Sequence, residues 1–426
     1  MRWAVLTWGT RGDVQPLLAL AGGLRARGDT VRFGAPAAHA DLVQRHGFAF
    51  HALGSPMAAA AYRGMMDGMH AEANPRKQNR ALLQQVLLGD LDRLFEDCRE
   101  AADGCDVVIA HWLQVGGGLA AESLGLPWAS VTLNAAGIGC EQALASREEL
   151  RARQGYSRWL WGDRLAEFRA AHGLRPVEVV ADSVYSPRLN LVAISPRLVP
   201  ESAQWSPQHR VTGFLHGATH DPDWTPDPAL AAFLQRHPNP VVVTLGSSAG
   251  DHIDAKLRVV LDALDRMGLP VIVQALLADA PPPSVPAPGR MHLVGELPHG
   301  WLFPQASCVI HHGGAGGSAA TLRAGVPSLA MGNLFDQPYW GQLLAEHGLA
   351  AQPIVETDIA VDTVIERVRD ALALAPRCRA FADDPETERG VQEAVDCLHR
   401  EYAFADTGTP SVDAAVSASD PLPVTA

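Results

Sequence analysis

A short apolar run that ends in a glycine-bearing or polar turn and leads into a helical pattern recurs along this chain, and this unit restricts the fold most. In the first half, residues 3–8 form such a run before a helical pattern at 14–27, and residues 30–35 form the next. Further strands are predicted at 106–110 and 126–132. Strands that alternate with helices predict a parallel sheet with crossover helices.

The same pattern begins again at residue 240. Strands are predicted at residues 240–245, 270–274, 290–294, 308–311 and 328–331, and helices at 253–267 and 318–324. A chain of 426 residues also exceeds what one hydrophobic core usually organises. We therefore predict an α/β protein with two doubly wound Rossmann-like domains that face each other across a cleft.

Prolines concentrate between the two series, with five between residues 222 and 240. Such a change in composition is typical of a domain boundary. We predict a first domain at residues 1–212, a linker at 213–239 and a second domain at 240–405. Residues 406–426 are rich in Pro, Ser, Thr, Asp and Ala, and we predict a disordered tail there.

Composition excludes several function classes. A net charge of -13 argues against a nucleic-acid partner, because phosphate binding needs clustered Lys and Arg. The chain has two lysines and no G-x-x-x-x-G-K-[ST] phosphate loop. Six cysteines without C-x-x-C spacing indicate reduced thiols in the cytoplasm. No apolar run approaches the roughly 20 residues that span a bilayer, so we expect at most peripheral membrane contact.

A glycine-rich turn, H-H-G-G-A-G-G-S at residues 311–318, joins a predicted strand to a predicted helix. Backbone N–H groups and the helix dipole favour an anion at such a turn. A diphosphate fits best, because His312 and Ser318 can add side-chain donors. A plain tight connection explains the glycines alone equally well.

Asp336 and Gln337 follow the next predicted strand. Ligands bind beyond the carboxyl ends of parallel strands, so these two residues are expected near the same ligand. A carboxylate beside an amide suits recognition of several sugar hydroxyls. Helix capping before Pro338 is an alternative of equal weight.

A second strand-to-helix turn contains Thr10, Arg11, Gly12 and Asp13. It lacks a full G-x-G-x-x-G, so it does not indicate a dinucleotide site. Asp13 could act as a general base or could cap the helix that follows. His111 ends a predicted strand and could face the cleft, although a single His at a strand end is usually structural.

Residues 246–250, G-S-S-A-G, match the nucleophile elbow of α/β-hydrolases. In such a fold the oxyanion turn precedes the serine, whereas here the His-Gly-Gly turn follows it. Asp336 and His347, the candidates for the acid and the His of such a triad, also lie too close together in the sequence to fit it. A serine esterase that uses Ser248 remains an alternative.

Several motifs resemble the donor-binding signature of family 1 glycosyltransferases: V-G-E-L-P-H-G-W-L-F-P at residues 294–304, the turn at 311–318, R-A-G-V-P at 323–327 and D-Q-P at 336–338. The N-terminal G-T-R-G-D-V-Q-P at 9–16 is similar to the acceptor-side loop of one branch. That branch contains the sterol 3-β-glucosyltransferases and the glycopeptide-antibiotic glycosyltransferases.

The resemblance implies a GT-B fold, with the acceptor in the first domain and a UDP- or dTDP-sugar in the second. It implies that Asp13 is the catalytic base, with Thr10, Arg11, Gly12 and His111 on the acceptor side. The implied donor-binding residues are Ser247, Ser248, Glu296, Leu297, Pro298, His299, His312, Gly314, Ala315, Gly316, Gly317, Ser318, Asp336 and Gln337. Gly317 is a departure, because relatives commonly carry a hydroxyl residue there.

We expect inverting transfer of a hexose to a hydroxyl of a hydrophobic acceptor, such as a sterol, a lipid or a natural-product aglycone. No D-x-D-like metal site is visible in the sequence, so we expect neither a metal nor a cofactor, with the nucleotide-sugar as co-substrate. The weakly patterned stretches 57–99 and 141–185 are expected to form the acceptor pocket, in a monomer or weak dimer. A non-catalytic nucleotide-sugar-binding protein is a further alternative, against which the presence of Asp13, Asp336 and Gln337 argues.

Overall fold

The structure of this chain, a computed structural model, contains two parallel sheets. It describes residues 1–56, 64–65, 67–69, 72, 74–136, 138, 147–177, 179–218, 224–245, 251–274, 289–332 and 334–402. Each sheet is covered by helices, which confirms the prediction of two doubly wound α/β domains.

The first sheet has seven strands in the order β3-β2-β1-β4-β5-β6-β7, and all of its pairs are parallel. Its strands are β1 (Arg2–Leu6), β2 (Thr30–Ala35), β3 (Ala49–Ala52), β4 (Val107–His111), β5 (Trp128–Thr132), β6 (Asn190–Val192) and β7 (His209–Val211). The helices around it are α1 (Arg11–Ala26), α2 (Ala40–Arg45), α3 (Pro75–Ala81), α4 (Leu91–Ala102), α5 (Val115–Leu124), α6 (Arg147–Trp161) and α7 (Arg164–Ala171), and a π-helical stretch (Leu82–Leu87) follows α3.

Strand β1 lies inside this sheet and is buried on both faces. Trp3 and Val5 pack into one hydrophobic core, whereas Ala4 and Leu6 pack into the other. All four side chains are 0% exposed. This alternation follows from the two-residue period of a strand with helices on both sides, and it explains why the run reads as continuously apolar.

The second sheet has five parallel strands in the order β10-β9-β8-β11-β12. They are β8 (Val241–Thr244), β9 (Val271–Gln274), β10 (Met291–Val294), β11 (Cys308–His311) and β12 (Ser328–Ala330). The helices that follow β7 in the chain are α8 (Pro228–Arg236), α9 (Asp251–Arg266), α10 (His299–Leu302), α11 (Ala315–Ala324), α12 (Gln337–Glu346), α13 (Val361–Ala373), α14 (Ala375–Ala382) and α15 (Gly390–Tyr402).

Both sheets reverse their strand order at one point, between β1 and β4 in the first and between β8 and β11 in the second. Connections leave such a point in opposite directions and open a crevice beyond the strand ends. The turn after β1 leads into α1, and the turn after β11 leads into α11. The two predicted turns therefore lie at the switch points of their sheets.

The last described helix, α15, packs on the first sheet although it follows the second in the chain. The Trp3 ring lies 6.0 Å from that of His399 and 6.1 Å from that of Tyr402. The Tyr402 hydroxyl donates to the Trp128 carbonyl at 2.5 Å. The predicted second-domain range of 240–405 thus includes a helix whose apolar face completes the core of the first sheet.

The predicted linker, 213–239, is partly helical. Its helix α8 begins where the Asp227 side chain accepts from the Ala229 N–H at 2.7 Å. Leu230 and Phe233 of α8 then pack with residues of the second sheet. The domain division itself stays a prediction, as does the tail at 406–426, which lies outside the described residues.

No helix among the described residues is long and apolar enough to cross a bilayer.

Candidate active site

The turns at the two switch points meet between the sheets. A Cβ added to Gly316 would lie 3.4 Å from the Cα of Gly12, which is ordinary van der Waals contact. Arg11 forms an ion pair with Glu296 across the same gap. The N-terminal ends of α1 and α11 therefore border one cleft.

Asp13 lies in the first turn of α1 and closes a capping box with Thr10. Its Oδ2 accepts from the Thr10 N–H at 2.7 Å and from the Thr10 hydroxyl at 3.0 Å. A Cβ on Gly9, which has a φ of 125°, would lie 2.3 Å from this oxygen. Burial raises the pKa of Asp13 to about 6, although the hydrogen bonds from Thr10 oppose the shift.

His111, at the end of β4, lies beside the other oxygen of that carboxyl group. Its Nε2 is 4.0 Å from Asp13 Oδ1, and its side chain is 0% exposed. Neither ring nitrogen makes a well-directed hydrogen bond among the described residues, although the Trp8 backbone lies close enough to favour the protonated ring. Burial lowers the pKa of His111 to about 3, so a neutral imidazole faces Asp13 at neutral pH.

The glycine-rich turn is built on His311, the last residue of β11. His311 Nδ1 accepts from the Gly313 N–H at 3.2 Å, and Gly313 has a φ of 83°. Gly314 is the N-cap of α11, so the helix begins three residues before its predicted start. The N–H groups of the first helical turn, from Ala315 onward, have no carbonyl partner within the helix and are available to an anion.

The space around His311 also explains the glycine at position 317. A Cβ on Gly317 would lie 2.9 Å from His311 Nδ1, which is closer than real Cβ contacts. The neighbouring Ser318 is 0% exposed, and its hydroxyl has no partner among the described residues. The predicted hydroxyl donor is therefore buried behind the turn, and the Ser318 N–H donates to the Gly314 carbonyl at 3.0 Å.

His312 follows the strand and is half-buried at the cleft. Burial lowers its pKa to about 4, although the Thr244 backbone beside the ring opposes the shift. A neutral His312 can offer one N–H to a ligand, but it does not carry a positive charge there.

Gln274, at the end of β9, organises the segment predicted to border the nucleotide base. Its Nε2 donates to the Leu297 carbonyl at 3.2 Å, and its Oε1 lies 3.0 Å from His299 Nε2. The His299 ring stacks on Phe303 with a centroid distance of 4.3 Å. Pro298 is the N-cap of α10, so the four predicted residues Glu296 to His299 lie between the end of β10 and the first residue of α10.

The structure adds one residue and one contact to those predicted from the sequence. Gln274 was missed, although a polar residue at the carboxyl end of a buried strand is a usable signal. Arg11, predicted on the acceptor side, also forms an ion pair with Glu296 on the side predicted to hold the nucleotide. This contact follows from the closeness of the two turns, which a one-dimensional pattern does not contain.

Asp336 is the N-cap of α12 and Gln337 is its first residue, on the same side of the cleft as the glycine-rich turn. The Gln337 Oε1 accepts from the Leu334 N–H at 3.1 Å, which leaves the amide NH₂ as its ligand-facing group. Asp336 makes no side-chain cap bond, and its Oδ2 accepts from the Trp340 indole at 3.1 Å. Burial, and then the charge of Asp13, raise the pKa of Asp336 to about 7.

The structure does not test the remaining predicted residues. Ser247 and Ser248 lie outside the described residues, and so does the G-S-S-A-G segment on which the esterase alternative rests. Across the described ranges, no group of three or more His, Cys, Asp or Glu side chains is arranged to hold a metal ion.

Two family models match the chain. Residues 3–136 match the glycosyltransferase family 28 N-terminal domain. Residues 258–399 match the C-terminal domain of proteins like the erythromycin biosynthesis protein CIII. Together the matches include both turns that border the cleft.

Individual proteins are similar over almost the whole chain. The O-mycaminosyltylonolide 6-deoxyallosyltransferase of Streptomyces fradiae is 32% identical over 415 residues, covering 92% of this chain and 96% of that protein. A sterol 3-beta-glucosyltransferase of Arabidopsis thaliana is 28% identical, covering 94% of this chain and 68% of that protein. The crystal structure of the kitacinnamycin glycosyltransferase has a TM-score of 0.71 at 19% identity, covering 94% and 98% of the two chains, and shows the shared fold.

Proposed function

Because the chain belongs to the family 1 GT-B glycosyltransferases, we propose that it moves a hexose from a UDP- or dTDP-sugar to a hydroxyl of a lipophilic acceptor, with inversion and without a metal. One observation carries this proposal. The Asp13 turn at the start of α1 lies against the glycine-rich turn at the start of α11. A general base and an anion-binding helix end then face one cleft.

In the proposed reaction, Asp13 Oδ1 takes the proton of the acceptor hydroxyl as that oxygen bonds to the anomeric carbon. The bond from the anomeric carbon to the diphosphate oxygen breaks, and the diphosphate keeps the electron pair. Backbone N–H groups from Ala315 to Gly317 stabilise the new charge. A single displacement of this kind inverts the anomeric centre.

Thr10 holds the Asp13 carboxyl group through Oδ2, whereas Oδ1 lies beside the neutral His111. This arrangement leaves Oδ1 to take a proton, which supports Asp13 as the base. Thr10 fixes the direction of the carboxyl group through Oδ2. The Cα of Gly12 lies at the contact between the two turns, 3.4 Å from the position of a Cβ added to Gly316. We place Asp13 and Thr10 beside the acceptor hydroxyl, and Arg11 over the donor.

On the donor side, we propose that Glu296 to His299 border the nucleotide base and that His312 donates to the diphosphate. Asp336 accepts from a sugar hydroxyl, and the Gln337 NH₂ donates to one. Ser247 or Ser248 would contact a donor phosphate across the cleft. Both relatives described above are glycosyltransferases, named for a tylonolide derivative and for sterols, and this supports a hydrophobic aglycone.

The proposal is tested by measuring transfer from a panel of UDP- and dTDP-sugars to sterols, lipids and polyketide or glycopeptide aglycones, with EDTA present. We expect transfer that EDTA does not reduce, and a product of opposite anomeric configuration to the donor by NMR. Strict dependence on an added divalent cation, or retention of configuration, contradicts the mechanism. Donor binding without transfer to any acceptor indicates a binding protein instead.

A further inference from the structure

A small apolar cluster joins the acceptor-side part of the chain to the segment that begins α12. Met69 and Leu334 are its centre, at 5% and 1% exposure, and Met65, Leu82 and Phe335 pack around them. Met65, Met69 and Leu82 precede β4, whereas Leu334 and Phe335 immediately precede Asp336. The cluster is therefore a contact across the cleft.

Phe335 is held in an unusual backbone conformation within this cluster. Its φ is 54°, and the only other described residue besides glycines with a positive φ is Asn239. A bulky side chain disfavours this left-handed region, so surrounding contacts must stabilise it. The conformation sets the direction in which the chain enters α12, and hence where Asp336 and Gln337 point.

Three hydrogen bonds hold residues on the two sides of this cluster. On the donor side, the Leu334 N–H donates to Gln337 Oε1 at 3.1 Å. On the acceptor side, the Gln78 amide donates to the Met69 carbonyl at 3.1 Å and to the Glu72 carbonyl at 2.6 Å. Gln78 is 1% exposed, so the position of Met69 is fixed from within the first domain.

Resting on the function proposed above, we infer that Met69 and Phe335 are positioning residues, through which the acceptor-side domain holds Asp336 and Gln337 in place for the donor sugar. In that proposed function, the nucleoside diphosphate is bound by the N-terminal end of α11 and by residues Glu296 to His299. Loss of the cluster should therefore impair recognition of the sugar and leave recognition of the diphosphate unchanged. It should also admit water beside the anomeric carbon and raise donor hydrolysis.

The test compares Met69→Ala and Phe335→Ala with wild type, using the nucleotide-sugar that wild type transfers best and its nucleoside diphosphate. We expect the KM for the nucleotide-sugar to rise about tenfold, as for coupled neighbouring residues, while the Kd of the nucleoside diphosphate stays within about twofold. The ratio of donor hydrolysis to transfer should increase. Met69→Leu should restore wild-type values, because it keeps the volume and apolar character of the contact.

Phe335→Gly tests the role of the ring separately from that of the backbone conformation, because glycine adopts the positive φ without strain. We expect it to behave like Phe335→Ala, since it loses the packing of the ring against the cluster. Met267→Ala truncates a half-buried methionine elsewhere in the second domain and serves as the control for a general loss of packing. If Met69→Ala does not fold, Met69→Val gives a smaller truncation of the same contact.

The inference is overturned if Met69→Ala keeps the wild-type KM, or if the nucleotide-sugar KM and the diphosphate Kd change together. Wild-type values for Phe335→Gly would likewise remove any role for the ring. Absence of transfer in wild type is a different result, because it contradicts the proposed function and leaves the variants to be compared by nucleotide-sugar and diphosphate binding alone.

Discussion

The two carboxyl oxygens of Asp13 have different surroundings. Its Oδ2 closes the capping box with Thr10, and its Oδ1 faces His111 and the cleft. The sequence presented capping and base catalysis as alternatives, whereas the geometry permits both, because the two oxygens point to different partners. The group is also destabilised as an anion by burial, which is the condition that makes a carboxyl group an effective base near neutral pH.

Asp13→Asn tests the base and keeps the cap, since the Asn oxygen can still accept from Thr10. Transfer should fall about a hundred- to ten-thousand-fold, while the Kd of the nucleoside diphosphate is unchanged. A folded-state pKa above the usual Asp value means that ionised Asp13 destabilises the fold as pH rises from about 4 through about 6. The Asn variant should therefore melt at an equal or higher temperature at pH 8, and near-normal transfer would leave Asp13 only its capping role.

The pH dependence of transfer follows from the same group. The base must be ionised, and the pKa of Asp13 is raised to about 6. Hence kcat/KM should be level above about pH 7 and fall roughly tenfold per pH unit below about 6. Initial rates at low substrate in overlapping buffers from pH 5 to 9 measure this, and a flat profile down to pH 5 is incompatible with Asp13 as the base.

Chemical type and position relative to a strand end were enough to find Asp13, His312 and Asp336 as candidates. Gln274 and Phe335 were not found, because their importance depends on neighbours distant in the chain. Gln274 matters through Leu297 and His299, and Phe335 through its backbone angle. Neither neighbour nor angle is visible in a local pattern.

The ends of helices were less predictable than their existence. We predicted α11 from residue 318 and found it from Ala315, with two glycines in its first turn. Glycine disfavours a helix interior, so local propensity places the start too late. Packing reverses this preference, since the turn is held by His311 behind it and faces Gly12 in front.

Gly332, just beyond β12, tests how tightly these elements fit. A Cβ there would lie 1.8 Å from the His312 carbonyl oxygen and 2.3 Å from Gln337 Oε1. Gly332→Ala must therefore push the glycine-rich turn away from α12. We expect a lower melting temperature and a nucleotide-sugar affinity reduced more than about tenfold, measured by calorimetry.

Gly22→Ala is the matched control for that variant. It lies within α1, and an added Cβ would meet no atom within 4 Å. It should stabilise the protein by about 1 kcal/mol, through the higher helix propensity of alanine, and leave donor binding unchanged. Equal donor affinity in both variants would show that the fit around Gly332 is unimportant.

The two-domain architecture was predictable because strand and helix patterns are local. The order of strands and the crossing of α15 were not, since they depend on which apolar faces match. Residues of α15 such as Val395 and Leu398 bury against the first sheet. Their helical spacing predicts a buried face but does not say which sheet covers it.

A chain that ends at Arg389 tests this packing. Without α15, Trp3 and the surrounding face of the first sheet lose their cover. We expect the protein to lose its cooperative thermal transition and to aggregate, because a large apolar patch becomes exposed. A chain that ends at Tyr402 should keep both folding and transfer, and a soluble, active protein ending at Arg389 would contradict the role of α15.

Because α15 comes late in the chain but covers the first sheet, this sheet is made long before the helix that covers it. The first sheet leaves the ribosome well before α15, and at a usual elongation rate of about 5–20 residues per second the interval is roughly ten seconds or more. Throughout that interval the Trp3 face has no covering helix. The newly made first half is therefore expected to be a chaperone client until α15 emerges, and the release of this enzyme from the chaperone should coincide with the emergence of α15.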